Sequence, residues 1–314
     1  MPSVIQSALD AAGVQSARIE TLWWVMFWVT TTVFLLVVGA VALAARRSRS
    51  TTASTTGESA LGRAVTAASG VSLMILVGLL FASVLTGRAV ATRPDPASLT
   101  VQITGYQWWW SVEYLNPEPS LRVVTANELH IPVGKPVIVN LRSGDVIHSF
   151  WVPNLHGKTD LIPGRSTTTW LQADTAGTFR GQCGEYCGLQ HAHMGLIVVA
   201  EPPEAFERWL DHQRTTPPAP STSQALEGRV LVEHGPCGMC HAVRGTSAGA
   251  RTAPDLTHFA TRSTLAAAAL PNTRDSLARW IADPQHVKPG NRMPATGLTP
   301  QELTAVVAYL ETLR

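Results

Sequence analysis

The chain has 314 residues, enough for more than one folded domain, and a formal charge of +2 at pH 7. Lys and Arg do not gather into long basic runs, which excludes nucleic acid as a natural partner. All 4 cysteines fall in two short motifs, so none is left for a structural disulfide framework.

Residues 1–21 are polar and begin without a Lys/Arg-rich segment, so a cleaved secretory signal is not expected. Leu22–Ala45 carries no charge and has about the 20 residues that a bilayer crossing needs. Trp23, Trp24 and Trp28 stand near its start like an interfacial belt, and Arg46, Arg47 and Arg49 follow its end. A second uncharged run extends from about Ala64 to Leu85. The loop between the runs holds Arg46, Arg47, Arg49 and Arg63 against a single acid, Glu58. The positive-inside rule then puts this loop in the cytoplasm and both termini on the outer face. A hairpin buried in a soluble protein is the competing reading, and two charge-free runs of this length disfavour it.

Pro94 and Pro96 mark a junction, after which the pattern becomes strand-like. LTVQITGYQWWWSVEY, LHIPVGKPVIVNLRS, VIHSFWVPNL, TTTWLQA, GTFRGQC and GLIVVA are rich in Val, Ile, Thr and aromatics, with Gly and Pro between them. An all-β sandwich of cupredoxin type is expected, with metal ligands on loops at one end.

Within it, CGEYCGLQHAHM places two thiols, Cys183 and Cys187, four residues apart. His191 follows four residues later and Met194 three after that. Thiolates bridge soft metals, imidazole suits copper, and a thioether is a weak axial copper ligand. A two-metal site needs a second imidazole, and His148, in DVIHSF, is the candidate. A disulfide would leave His191 and Met194 without a task. A zinc site of Cys183, Cys187, His191 and His148 is chemically sound but gives Met194 none.

This segment, with His148, closely resembles the dinuclear copper A loop of subunit II of haem-copper cytochrome c oxidases. The resemblance implies that Cys183 and Cys187 bridge two coppers and that His148 and His191 each complete one. It makes Met194 and the backbone carbonyl of Glu185 weak outer ligands, and the Glu185 side chain a ligand to a magnesium ion shared with subunit I. His193 lies outside the pattern and reads as a bystander. The run GYQWWWSVEY resembles the family's aromatic stretch after the second membrane helix. On that match Trp108 passes electrons between copper A and a donor or subunit I, against the competing reading of plain aromatic packing, which is preferred for Trp109 and Trp110.

EPPEAFERWLDHQR, residues 201–214, reads as a short amphipathic helix. Thr215–Ser223, TTPPAPSTS, is an extended, semi-rigid spacer and the clearest domain boundary. Beyond it, Cys237, Cys240 and His241 form the C-x-x-C-H arrangement of c-type haem attachment; a redox dithiol is the alternative. Two thiols reach the two vinyl groups of one porphyrin, and the adjacent His binds the iron. Met293, in NRMPATGLT, is the expected distal ligand, with His258 or His286 as substitutes that would lower the potential. Thr299-Pro300-Gln301-Glu302 has capping-box spacing, and Leu303, Val306, Val307 and Leu310 form one apolar stripe behind it. The segment resembles small class I cytochromes c, in which a Gly on the first helix packs on an aromatic of the last; Gly228 and Tyr309 match.

The expected architecture is an N-terminal segment and transmembrane hairpin (1–93, helices near 22–45 and 64–87) and a cupredoxin-like copper A domain (94–214). A linker (215–223) and an all-α cytochrome c domain (224–314) complete it. The resemblance to caa-type oxidase subunit II implies a bacterial plasma-membrane protein that takes electrons from an external cytochrome or reductase. They would pass through haem c and copper A to subunit I, beside subunit III in the lipid, for oxygen reduction with proton pumping. A quinol oxidase subunit lacks these copper ligands. A nitrogen-oxide reductase input subunit and a free-standing membrane redox shuttle remain as rivals. Glu58 is the acid considered for a proton-channel mouth.

Overall fold

The computed structural model describes residues 4–47, 57–92 and 99–314. Arg49, Pro94, Pro96 and the side chain of Glu58 lie outside the described residues.

Two long helices come first, α1 (Val14–Arg47) and α2 (Gly57–Ala91). Both overrun the uncharged stretches by some turns, because nothing in the flanking polar residues breaks a helix and neither contains proline. They are long and apolar enough to cross a membrane. Leu36, Phe34, Leu80 and Phe81 all face outward, as lipid rather than water would favour. Arg18 Nη1 donates to the Ala89 carbonyl at 2.6 Å, tying the start of one helix to the end of the other. Residues 17–92 form a unit of their own, and the remaining described residues form a second.

The second unit begins as a β-sandwich. Its strands are β1 (Val4–Ile5), β2 (Leu99–Tyr106), β3 (Trp109–Tyr114), β4 (Val123–Ala126), β5 (Glu128–Pro132), β6 (Val137–Ser143), β7 (His148–Trp151), β8 (Thr159–Leu161), β9 (Thr167–Leu171), β10 (Gly177–Cys183) and β11 (Gly195–Glu201). One sheet runs β4-β3-β2-β6-β9 and the other β5-β11-β10-β7-β8, with β1 added parallel to β10. Along β2, Val101 and Ile103 are fully buried while Thr100, Gln102 and Thr104 are not, the period of two that a half-buried strand requires. These side chains meet Leu129, Phe150, Leu196 and Val198 in one core.

The N-terminal residues do not stay with the hairpin, where the sequence places them. Ser16 Oγ donates to the Asn154 carbonyl at 2.6 Å, Gln15 Nε2 to Trp170 O at 2.8 Å, and Gly13 bridges to Ala173. Residues 4–16 therefore belong to the β-sandwich.

Helix α3 (Pro203–Arg214) packs Phe206 and Leu210 into the sandwich core and hands over to the linker. The helical domain contains α4 (Ser223–His234), α5 (Arg274–Ala282), α6 (Pro284–Val287) and α7 (Pro300–Leu310). Its first and last helices cross where α4 has no side chain: a Cβ on Gly228 would stand 1.9 Å from Ala305 O and 2.9 Å from Tyr309 Cβ. Thr299 and Glu302 close a reciprocal capping box on α7, and Val306, Val307 and Leu310 are buried behind it.

The spacer Thr215–Ser223 reads as a boundary between two separate domains. The structure instead shows them docked. Ala266, Ala267 and Ala268 all have left-handed backbone (φ 55°, 60° and 58°), which costs an alanine roughly 1 kcal/mol per residue. The turn is compensated by partners for all three carbonyls. Gly195 N–H donates to Ala267 O at 3.0 Å, Arg180 Nη1 to Ala268 O at 2.8 Å, and Lys288 Nζ to Ala266 O at 3.2 Å. At another point of the interface, Glu128 Oε2 accepts from both the backbone N–H (3.0 Å) and the hydroxyl (2.7 Å) of Ser263. Even the linker is held, with Thr215 O accepting from His258 Nε2 at 3.1 Å.

Candidate metal centre and haem-binding segment

Strand pairing builds the metal centre. Cys183 lies opposite Phe150 in the antiparallel β10–β7 pair, which brings the end of β10 beside His148 at the start of β7. After Cys183 the chain leaves the sheet, and Cys183 N–H donates to Met194 O at 2.9 Å, closing residues 183–194 into a loop. Gly184 N–H donates to Ser149 O at 2.8 Å and anchors the loop to β7. His148 and Met194 are fully buried, and Cys183 and Cys187 are 2% exposed.

The donor atoms converge. One ligand atom each from His148, Cys183 and Cys187 lies within 4.8 Å of the others. His148 Nδ1 is 3.9 Å from Cys183 Sγ, and His191 Nδ1 is 3.6 Å from Cys187 Sγ. Met194 Sδ stands 3.8 Å from Cys187 Sγ, and the Glu185 carbonyl 3.1 Å from Cys183 Sγ. Hydrogen bonds from Cys187 and His148 push the Cys183 thiol down, while the charge developing on Cys183 and burial push Cys187 up. Two neighbouring thiols cannot both ionise without a cation, which is the condition a bridging metal pair satisfies.

A second layer of residues, missed by sequence reasoning, orients these donors. Asp145 Oδ1 takes the Nε2 proton of His148 at 2.8 Å, leaving Nδ1 facing the thiols. Burial would raise the Asp145 carboxyl, but bonds from Gln107 N–H and His148 hold it below its ordinary value. The signal was present in DVIHSF, where an acid precedes the imidazole by three residues. Gly105 on β2 leaves room for the ring, since a Cβ there would be 2.9 Å from His148 Cδ2. Trp108 is 8% exposed and donates its indole N–H to Cys187 O at 3.0 Å; Gln107 Nε2 reaches the same oxygen at 2.9 Å. The Lys288 ammonium, which burial pushes down to about 7 against the pull of Cys187, donates to Trp108 O at 2.8 Å.

Other residues stand apart. His193 is exposed and pairs with Gln190 Oε1 at 2.7 Å. The Glu185 carboxylate accepts from Tyr186 N–H at 3.2 Å and lies 3.5 Å from Lys158 Nζ.

In the helical domain, Cys237 and Met239 share a single 3-10 turn (Pro236–Met239), with Cys240 as its cap. His241 follows, its Nδ1 proton donated to Pro254 O at 2.6 Å, which leaves Nε2 as the free base. Burial lowers its pKa and keeps it neutral, the form a metal needs. Met293 is half-buried on a loop pinned by Gln285 Nε2 to Met293 O (3.0 Å) and Asn291 Oδ1 to Met293 N (2.8 Å). His258 is engaged through Nε2 with the linker, and His286 is exposed on α6.

Residues 117–201 match the family described as cytochrome c oxidase subunit II, periplasmic domain, and residues 225–314 match cytochrome c. The chain is 36% identical to cytochrome c oxidase subunit 2 of Alkalihalophilus pseudofirmus, over 77% of its own length and 70% of that protein. The chain belongs to this family. It is 33% identical to cytochrome c oxidase subunit 2 of Bacillus sp. strain PS3, over 71% of its length and 64% of the relative. The solved periplasmic domain of subunit II of cytochrome oxidase from Bradyrhizobium japonicum is 32% identical, covers 39% of this chain and 97% of its own, and superposes with a TM-score of 0.36.

Membership makes the chain part of an oxidoreductase and implies copper A in the β-domain and haem in the helical domain. The residues present suit both. The sandwich gathers two thiols, two imidazoles and a thioether, a donor set matched to copper. The helical domain presents a neutral imidazole of defined tautomer directly after two adjacent thiols.

Proposed function

We propose that the chain is the electron-input subunit of a terminal respiratory oxidase, accepting electrons at its helical domain and releasing them from the copper loop to subunit I. The haem and the copper pair, when bound, supply the one-electron redox chemistry. In subunit I, dioxygen, four electrons and four protons become two waters, with further protons pumped.

The carrying observation is that the helical domain sits on the copper loop itself, with Gln190 Nε2 donating to Pro289 O at 2.9 Å. Cys183, Cys187, His148 and His191 would hold the copper pair, with Met194 and Glu185 O as weaker donors. Cys237, Cys240, His241 and Met293 would hold the haem. Trp108, bonded to Cys187 O, lies between the Cys187 backbone and the helical domain. Its burial and directed bond favour a role in conduction over simple packing. Asp145 keeps His148 oriented, and Glu185, paired with Lys158, would be available to a magnesium ion shared with subunit I. The hairpin anchors the chain in the plasma membrane with both termini and both redox domains outside, beside subunits I and III.

Purifying the complex tests this directly. Two coppers and one covalent haem per chain are expected, with oxygen consumption driven by a reduced cytochrome. Reduction of a nitrogen oxide in place of oxygen would move the chain to a reductase. Purification without a many-helix haem subunit would make it a redox shuttle.

A further inference from the structure

Lys288 follows α6 and is 2% exposed. Its ammonium donates to two backbone carbonyls, Trp108 O at 2.8 Å in the β-domain and Ala266 O at 3.2 Å in its own. No carboxylate pairs with it among the described residues. A buried lysine hydrogen-bonded only to two carbonyls is a costly arrangement, and a leucine or methionine would fill the same volume more cheaply. What the lysine adds is direction, one bond to each domain.

Its surroundings share that orientation. Ala266 begins the left-handed turn whose next two carbonyls bind Gly195 and Arg180. Pro289, the next residue, accepts from Gln190 on the copper loop. Gly290 lies so close that a Cβ there would be 3.0 Å from Leu189 Cδ2 and 3.9 Å from the Trp108 ring. Arg292 Nη2 reaches Asp145 Oδ2 at 3.4 Å, and Met293 follows at once. Residues 288–292 thus lie along the copper loop, and Lys288 is their buried member.

We propose that Lys288 is a positioning residue for electron transfer within the chain, clamping the alanine turn and the Met293 loop to the backbone of Trp108. It sets the separation and orientation of the two redox domains, on which the transfer rate depends steeply. This rests on the reading of the chain as a haem-to-copper conduit.

The test uses the full oxidase complex and two readouts. Lys288→Met keeps the side-chain length and removes both bonds. Hydrogen exchange in the 190–195 and 266–268 segments should rise about tenfold as the clamp opens. After photoreduction of the haem domain, electron arrival at the copper should slow by about tenfold or more, with both reduction potentials and both optical spectra unchanged. Arg180→Met, which drops the bond to Ala268 O without touching Trp108, should leave the rate within about threefold. Should Lys288→Met not accumulate, Lys288→Gln, able to reach only one carbonyl at a time, carries the same expectation. Unchanged transfer in the Lys288 variant overturns the proposal, and so does equal slowing in the Arg180 variant. Absence of any haem-to-copper transfer in the unmutated complex would overturn the conduit reading instead.

Discussion

The two candidate redox sites are assembled in opposite ways. The candidate copper ligands come from strand ends and one loop, with His148, Cys183, Cys187 and Met194 buried and His191 half-buried. The candidate haem-attaching residues Cys237, Cys240 and His241 lie within five residues on and just after one 3-10 turn, with Cys237 half-buried and Cys240 exposed. Coordination by thiolate needs a dry, preformed cage that resists change through a redox cycle. Thioether formation needs thiols that a porphyrin can approach. One site is thus made by tertiary structure and the other by local sequence, so they should fail differently.

The largest effect is expected from Cys183→Ser. Losing one bridging thiolate leaves two cations with too little negative charge between them, so copper content should fall to near zero while haem attachment stays complete. Copper analysis beside a haem-stained gel reads both. Retention of both coppers would remove Cys183 from the bridge.

Asp145→Asn attacks the cage one layer out. His148 loses the carboxylate that takes its Nε2 proton, and second-layer changes of this kind typically cost about 10- to 100-fold in metal affinity. Competition with a chelator would measure it, and unchanged affinity would mean that the strands alone orient the ring.

On the haem side, Met293→His should leave covalent attachment intact and lower the reduction potential. Imidazole favours the ferric iron more than thioether does, and a drop on the order of 100 mV is a modest part of the roughly 0.8 V that axial ligands span. A redox titration with the same potential as the parent would show that Met293 does not bind the iron.

The smallest effect concerns the interface. His130 is buried between Glu201 (2.8 Å) and Glu128 (3.2 Å) and stacks on Trp209. Burial alone would lower its pKa, but the two carboxylates raise it above 6.5. Burial would raise the Glu128 carboxyl, yet bonds from His130 and Ser263 hold it below 4.5. The raised His130 contributes stability that is complete below pH 6.5 and is lost as pH rises through its folded-state value. The lowered Glu128 contributes stability that is present above pH 4.5 and is lost as pH falls through its folded-state value. Thermal unfolding of the docked β and helical domains should therefore show a broad optimum between these limits, flattened in Glu128→Gln. A parent profile without a decline on the alkaline side would contradict the raised His130.

Much of this was legible because the informative residues are neighbours in the chain. Cys183, Cys187, His191 and Met194 suggest a metal by their spacing, and Cys237, Cys240 and His241 suggest a porphyrin. Leu22–Ala45 and Ala64–Leu85 name a hydrocarbon environment. Thr299 and Glu302 announce the start of α7, and Gly228 its crossing with α4, since each rule depends on a few adjacent dihedrals or one missing side chain. Residues 4–16 were misplaced because their pairing with Asn154, Trp170 and Ala173 has no periodic signature.

Composition and spacing by themselves determined the two long apolar helices, the β and helical domains, and the candidate residues of both sites, because propensity, hydropathy and ligand type are properties of short segments. Only the tertiary structure decided that Asp145 holds His148, that Trp108 is bonded to Cys187, and that Lys288 and three left-handed alanines seat one domain on the other. Each of those depends on residues far apart in the chain reaching hydrogen-bond distance together, and that distance is set by how the whole core packs.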